Sequence, residues 1–139
     1  MIRHGWTMAP VLVPALMIAA AAAAAEKKYD PGVTDTEIKI GQTMPYSGPA
    51  SAYGTIGRSE VAYFKMINEH GGVNGRKINL ISIDDGYSPP KTVEVTRKLV
   101  EEDQVLAIVG SLGTPTNVAI HKYLNVKKVP QLFIASGAT

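Results

Sequence analysis

The sequence contains no cysteine in 139 residues. That excludes a disulfide scaffold, a thiolate zinc site, an iron–sulfur cluster, a cysteine nucleophile and a lipid-anchored amino terminus. A charge excess is also lacking: 14 Lys and Arg stand against 12 Asp and Glu, a net charge of +2. A nucleic-acid-binding surface needs a concentrated basic excess, so no nucleic-acid partner is expected. The glycine fingerprints of nucleotide binding, G-x-G-x-x-G and G-x-x-x-x-G-K-[ST], do not occur, nor does the G-x-S-x-G of a nucleophile elbow. The three histidines, His4, His70 and His121, are scattered. Asp84 and Asp85 are adjacent but without a further ligand cluster, so they read as loop-capping residues. No metal or cofactor is implied, and no nucleophile–base pair is visible.

Only one long apolar run is present. Arg3 opens the chain with positive charge, Met8 to Ala25 carries no charge, and the run closes on Ala19 to Ala25. A cationic start, an apolar stretch and small residues at the end make a secretory signal peptide over 1–25, with cleavage expected near Ala25. A membrane anchor is the alternative, but Pro10 and Pro14 interrupt the run and alanine is only weakly hydrophobic. Cleavage removes Arg3 alone among the charged side chains, leaving a near-neutral exported protein.

What remains alternates in periodicity. Residues 26–36, with the turn Asp30-Pro31-Gly32, read as a loose leader. Glu37 to Met44 alternates as a strand. The run from Ile56 to His70 has helical spacing, with Ile56, Val61, Phe64, Met66 and Ile67 as its apolar positions, and Gly71-Gly72 ends it. Arg76 to Asp84 has apolar residues on both faces, as a strand covered by helices on both sides does. Pro89-Pro90 opens a helix through Glu102, with Val93, Val95, Leu99 and Val100 facing inward. Val105 to Gly110 is a near-continuous apolar strand, Thr114 to Tyr123 a third helix, and Gln131 to Ala135 a fourth strand. The order β-α-β-α-β-α-β predicts an α/β fold: a doubly wound parallel sheet with right-handed crossovers. The fourth strand has no following helix to cover it, so Leu132, Phe133 and Ile134 are expected to be partly exposed, as in the amino-terminal part of a longer protein.

Ligands of open parallel sheets bind beyond the carboxyl ends of the strands. That selects four loops, 45–54, 85–88, 111–114 and 136–139. They are rich in glycine and hydroxyls: Ser47, Tyr53, Ser88, Ser111, Thr114, Ser136 and Thr139. Glycines let backbone N–H groups approach a ligand, hydroxyls bond polar groups without charge, and a helix N-terminus favours an anion. Gly, Ser and Thr also form loops that bind nothing, so the composition alone leaves binding and structural roles both open.

The ordered combination is more specific. IKIGQTMPYSGPASAYG, NEHGGVNGRKINLISIDDGYSPPK, VLAIVGSLGTPTN and PQLFIASGAT together resemble the type I periplasmic solute-binding proteins, and more narrowly the leucine/isoleucine/valine-binding proteins of ABC importers. The resemblance covers 37–139. It implies an amino-terminal ligand-binding lobe, incomplete here, with a second lobe closing on the ligand. It implies a ligand carboxylate held by the hydroxyls of Thr114 and Thr139 and by main-chain groups of Leu112 and Gly137, with Tyr53 against the ligand side chain. A small-molecule ligand (an amino acid or other carboxylate), permease subunits in the inner membrane and a periplasmic location follow from it. Pro115 departs from the family's usual serine-rich third loop and weakens the case for leucine-type specificity. An exported α/β enzyme and the sensory domain of a membrane receptor are the alternatives.

Overall fold

The structure is a computed structural model and describes residues 28–138. β1 (Glu37–Met44), α1 (Gly54–Glu69), β2 (Lys77–Asp84), α2 (Pro89–Arg97), β3 (Ala107–Val109), α3 (Thr114–Lys127) and β4 (Gln131–Leu132) follow one another in the expected alternation. The four strands form one sheet in the order β2-β1-β3-β4, and every pairing is parallel. β1 and β2 stay in register along their whole length, from Glu37 opposite Lys77 to Met44 opposite Asp84.

The pleat assigns each residue to a face. Gly41 of β1 and Ile108 of β3 are register partners and look toward α2 and α3. There Val95, Leu99, Val105, Ile108, Ile120 and Leu124 form the buried core, with Ile81 and Ile83 packed against it. Gln42 and Met44 lie on the opposite face with Ser82, toward α1. The sheet is therefore wound on both faces, as expected.

α1 does not bury the stripe its periodicity suggests. Phe64 and Ile67 are partly buried but Ile56, Val61 and Met66 are exposed, whereas Gly54 and Gly57 are buried. Gly57 lies against the Tyr46 hydroxyl and Met44 Cγ, where a side chain would collide. The helix thus docks through small residues, and its larger ones are left at the margin. Asn68 near its end covers the open edge of β2: its amide donates to the Ile78 carbonyl and accepts from the Ile78 N–H, both at 2.7 Å. Occupying an edge strand's free groups in this way blocks edge-to-edge pairing.

The other differences are local. The helix from Pro89 gives way to a π turn at Lys98–Glu102, which places Leu99 in the core. β3 is regular only from Ala107, and α3 runs one turn beyond Tyr123. β4 stops at Leu132 because Phe133 turns to φ 54°, after which Ala135 rejoins through a single bridge to Leu112. Leu132, Phe133 and Ile134 are 44%, 84% and 42% exposed, in line with expectation. The expected signal peptide lies outside the described residues. Among the described residues, no helix is long and apolar enough to cross a membrane.

Candidate functional site

The four loops at the carboxyl ends of the strands meet around an open hollow of about 690 Å3. Its size falls within the roughly 300–1,000 Å3 usual for small-molecule sites. Tyr53, Leu112, Thr114 and Gly137 all line it, so the structure brings together four of the five residues singled out from sequence. Thr139, the fifth, lies outside the described residues. Pro49, Ala50, Ile56, Tyr87, Gly113, Ala135 and Ser136 complete the lining, which among the described residues contains no charged side chain.

The third and fourth loops are tied into one floor. Gly113 N–H donates to the Ala135 carbonyl at 2.9 Å, and Ala135 N–H donates to the Ser111 carbonyl at 3.0 Å. Above them Thr114 Oγ1 and Ser136 Oγ stand 2.7 Å apart. Thr114 opens α3, so this hydroxyl pair sits where first-turn N–H groups and the helix dipole favour negative charge. Thr116 and Asn117 turn inward instead. Thr116 Oγ1 donates to the Leu112 carbonyl at 2.7 Å, and Asn117 Nδ2 donates to the Gly113 carbonyl at 2.6 Å. These bonds hold the Leu112-Gly113 turn from behind.

The first and second loops form the walls. Tyr53 ends a short 3-10 turn, Ser51–Tyr53, and is 59% exposed, with its ring available on the hollow side. Tyr87 was not singled out from sequence. Its backbone is left-handed, at φ 61°, its N–H donates to Asp85 Oδ1 at 2.9 Å, and its ring lies beside Gly113. The available signal was its position, two residues beyond the adjacent aspartates in a selected loop.

The two aspartates have separate tasks. Asp85 is fully buried and accepts from the Thr92 hydroxyl at 2.8 Å, fixing the start of α2. Asp84 accepts from Tyr46 N–H, Ser47 N–H, Gly86 N–H and the Ser47 hydroxyl, and pairs with Lys91 at 3.3 Å. Burial pushes its carboxyl up, but the hydrogen bonds from Ser47, Gly86 and Lys91 outweigh burial and hold it well below the usual carboxylate range. A carboxyl lowered on folding contributes stability that is complete above its unfolded pKa of about 3.9 and is lost as pH falls toward the folded value. Urea unfolding at pH 7 and pH 3 is therefore expected to show Asp84→Asn less stable than the parent at pH 7 and the gap narrowed at pH 3. A gap independent of pH would contradict this. Among the described residues no group of three or more His, Cys, Asp or Glu could hold a metal ion.

An open parallel sheet with neutral hydroxyls and a helix N-terminus under a tyrosine-walled hollow has the make-up of the small-molecule sites found in α/β proteins. The sequence profile described as Periplasmic binding protein matches residues 37–139, and the chain belongs to that family. An amino acid binding protein of Pseudomonas aeruginosa is 36% identical over 85 residues, which is 59% of this chain and 22% of that protein. Among solved structures, the branched-chain amino acid transporter substrate binding protein LivJ of Streptococcus pneumoniae, in complex with isoleucine, aligns at a TM-score of 0.68 and 27% identity, covering 74% of this chain and 30% of that one. A solute binding protein of an ABC transporter from Rhodopseudomonas palustris, in complex with 3,4-dihydroxybenzoic acid, aligns at a TM-score of 0.64 and 29% identity, covering 73% and 28%. The chain thus spans less than a third of the length of these relatives.

Proposed function

We propose that the chain is the amino-terminal lobe of an extracytoplasmic solute-binding receptor of an ABC importer, residues 37–139 following a signal peptide at 1–25 and a short leader. The ligand is a branched-chain amino acid or a related small carboxylate, captured in the periplasm between this lobe and a second one, and handed to permease subunits in the inner membrane. The protein acts by binding and release and performs no chemistry on its ligand.

The observation that supports this reading is the Thr114–Ser136 hydroxyl pair at the start of α3, on the floor of a hollow lined by no charged side chain. Such a site holds an anion by hydrogen bonds and leaves it free to depart, because no lining residue among those described carries a positive charge. Thr114 and Thr139 donate to the carboxylate, Leu112 and Gly137 offer main-chain groups, and Tyr53 lies against the ligand's side chain. The named ligands of the related structures, isoleucine and 3,4-dihydroxybenzoic acid, share a carboxylate and differ in what it carries. The carboxylate is therefore the group assigned to this lobe.

Titration calorimetry of the two-lobe protein against branched-chain amino acids and aromatic carboxylates tests the reading. Thr114→Val removes one hydroxyl bonded to a charged group and is expected to cost about 1.5–3 kcal/mol, roughly 10- to 150-fold in affinity. Unchanged affinity would remove Thr114 from the site. Absence of binding to every carboxylate tried would end the proposal.

A further inference from the structure

We propose that Asp84 is a positioning residue of the ligand site: its carboxylate clamps the first loop to the second and so sets the distance between the Tyr53 and Tyr87 walls. This rests on the reading of the hollow as a ligand site.

The geometry converges on one side chain. Asp84 Oδ1 accepts three backbone N–H groups, from Tyr46 at 2.9 Å, Ser47 at 3.0 Å and Gly86 at 3.0 Å. Asp84 Oδ2 accepts the Ser47 hydroxyl at 2.6 Å and Lys91 Nζ at 3.3 Å. Tyr46 and Ser47 open the loop that carries Pro49, Ala50 and Tyr53 to the hollow, and Gly86 immediately precedes Tyr87. The two loops then touch: a Cβ on Gly48, at φ 77°, would stand 2.8 Å from the Gly86 carbonyl oxygen. Two glycine backbones are therefore in close approach, one at Gly86, which the carboxylate holds directly, and one at Gly48, next to the Ser47 that it also holds.

Neither loop has comparable support from apolar packing. Ser47, Gly48 and Pro49 are exposed, and Gly86 and Tyr87 are only partly buried. A segment with few buried apolar contacts opens at a free energy set by its hydrogen bonds. Asp84 is, among the described residues, the one side chain that accepts from both loops; the only other shared acceptor is the Met44 carbonyl at the end of β1, which takes Tyr46 N–H at 3.0 Å and Asp85 N–H at 3.2 Å. The Asp85 side chain, by contrast, bonds only within its own loop and α2. Clamping the walls before ligand arrives removes an ordering cost from binding, which is how preorganisation raises affinity.

The side chains beneath the first loop point the same way. Tyr46 OH lies 2.6 Å from Ser82 Oγ, and Ser82 Oγ donates to Gln42 Oε1 at 2.7 Å. Gln42 Nε2 in turn donates to Glu60 of α1 and to the Gly110 carbonyl. These bonds seat the root of the loop on the sheet, and the clamp governs the part beyond it.

Three variants of the two-lobe protein test the clamp. Asp84→Asn keeps the side chain's size and removes the charge. Ser47→Ala removes the shortest bond. Val105→Ala, in the buried core just before β3 and outside the hollow, is a destabilised control. Amide hydrogen exchange without ligand is expected to rise roughly tenfold in 45–50 and 85–88 for Asp84→Asn, by less for Ser47→Ala, and to stay at the parent level in those loops for Val105→Ala. Affinity for a carboxylate bound by the parent is expected to fall roughly tenfold in Asp84→Asn and to be unchanged in Val105→Ala. Parent-level exchange in both loops of Asp84→Asn would overturn the clamp. Raised exchange with unaltered affinity, or an equal affinity loss in Val105→Ala, would overturn its positioning role. If the parent binds no carboxylate, the ligand reading fails by itself, and the exchange experiment still decides whether the clamp exists.

Discussion

Replacing Gly113 by alanine is expected to destabilise the protein by about 2–6 kcal/mol and to dismantle the floor of the hollow. Two costs add. Gly113 caps α3 at φ 105°, ψ 138°, a conformation almost confined to glycine, and forcing another residue there costs about 1–3 kcal/mol. A Cβ would also stand 2.5 Å from Tyr87 Cε2 and 2.6 Å from Thr116 Oγ1. Overpacking of that kind costs about 1–3 kcal/mol more. Relief is limited on either side. Thr116 is held by bonds to the Leu112 and Gly113 carbonyls, and the Tyr87 backbone is held by Asp85. Whichever side gives way, a wall or the floor moves. Gly137 is the control on the same hollow, because a Cβ there meets nothing within 4 Å. Gly137→Ala is expected to stay within about 0.5 kcal/mol of the parent. Urea unfolding followed by circular dichroism gives both values, and equal stability of the two variants would refute the argument.

The contrast between those two glycines shows what sequence alone conveys. Both sit in loops selected by the rule for open parallel sheets, and both look equally suited to close backbone approach. Only the path of the second loop, which carries Tyr87 over Gly113, separates them. The strands were legible because β1 alternates with a period of two and β2 carries apolar residues on both faces, and both end where expected, at Met44 and Asp84. The parallel order followed from helices between strands. The buried face of α1 was not legible. Its apolar residues suggested one stripe, but the buried residues of α1 are Gly54 and Gly57, which carry no hydrophobic signal. The π turn at Lys98–Glu102 was hidden for a similar reason, since one extra residue in a turn leaves local composition unchanged. Tyr53, Leu112, Thr114 and Gly137 came from resemblance joined to loop position. Tyr87 and the Thr114–Ser136 pairing depended on distances between loops more than twenty residues apart, which no local pattern encodes.

Leu99→Ala is expected to cost about 2–5 kcal/mol, a large part of the roughly 5–15 kcal/mol that holds a domain folded. Leu99 is fully buried at the π turn, and its methyl groups reach the backbone of β1 at Gly41. A Cβ on Gly41 would lie 3.1 Å from Leu99 Cδ1 and 3.0 Å from Ile108 Cδ1. β1 therefore carries glycine at the point where two large side chains need the space, although glycine within a strand forgoes packing and conformational economy. Gly41→Ala alone is expected to destabilise, since the contacts are tighter than ordinary and Ile108 is also fully buried. In combination the changes compensate, because the methyl added at Gly41 enters the volume vacated by Leu99. The double variant is expected to lose less than the summed losses of the single ones, by about 0.5–3 kcal/mol, the coupling usual for residues in contact. A double-mutant cycle in urea at pH 7 measures that difference directly. Strict additivity would mean that the cavity left by Leu99 closes from the α3 side, through Ile120 or Leu124, and that Gly41 is retained for another reason. A positive coupling would establish that the π turn and the glycine are two halves of one packing solution, which sets how closely α2 lies on the sheet and hence where the second loop enters the hollow.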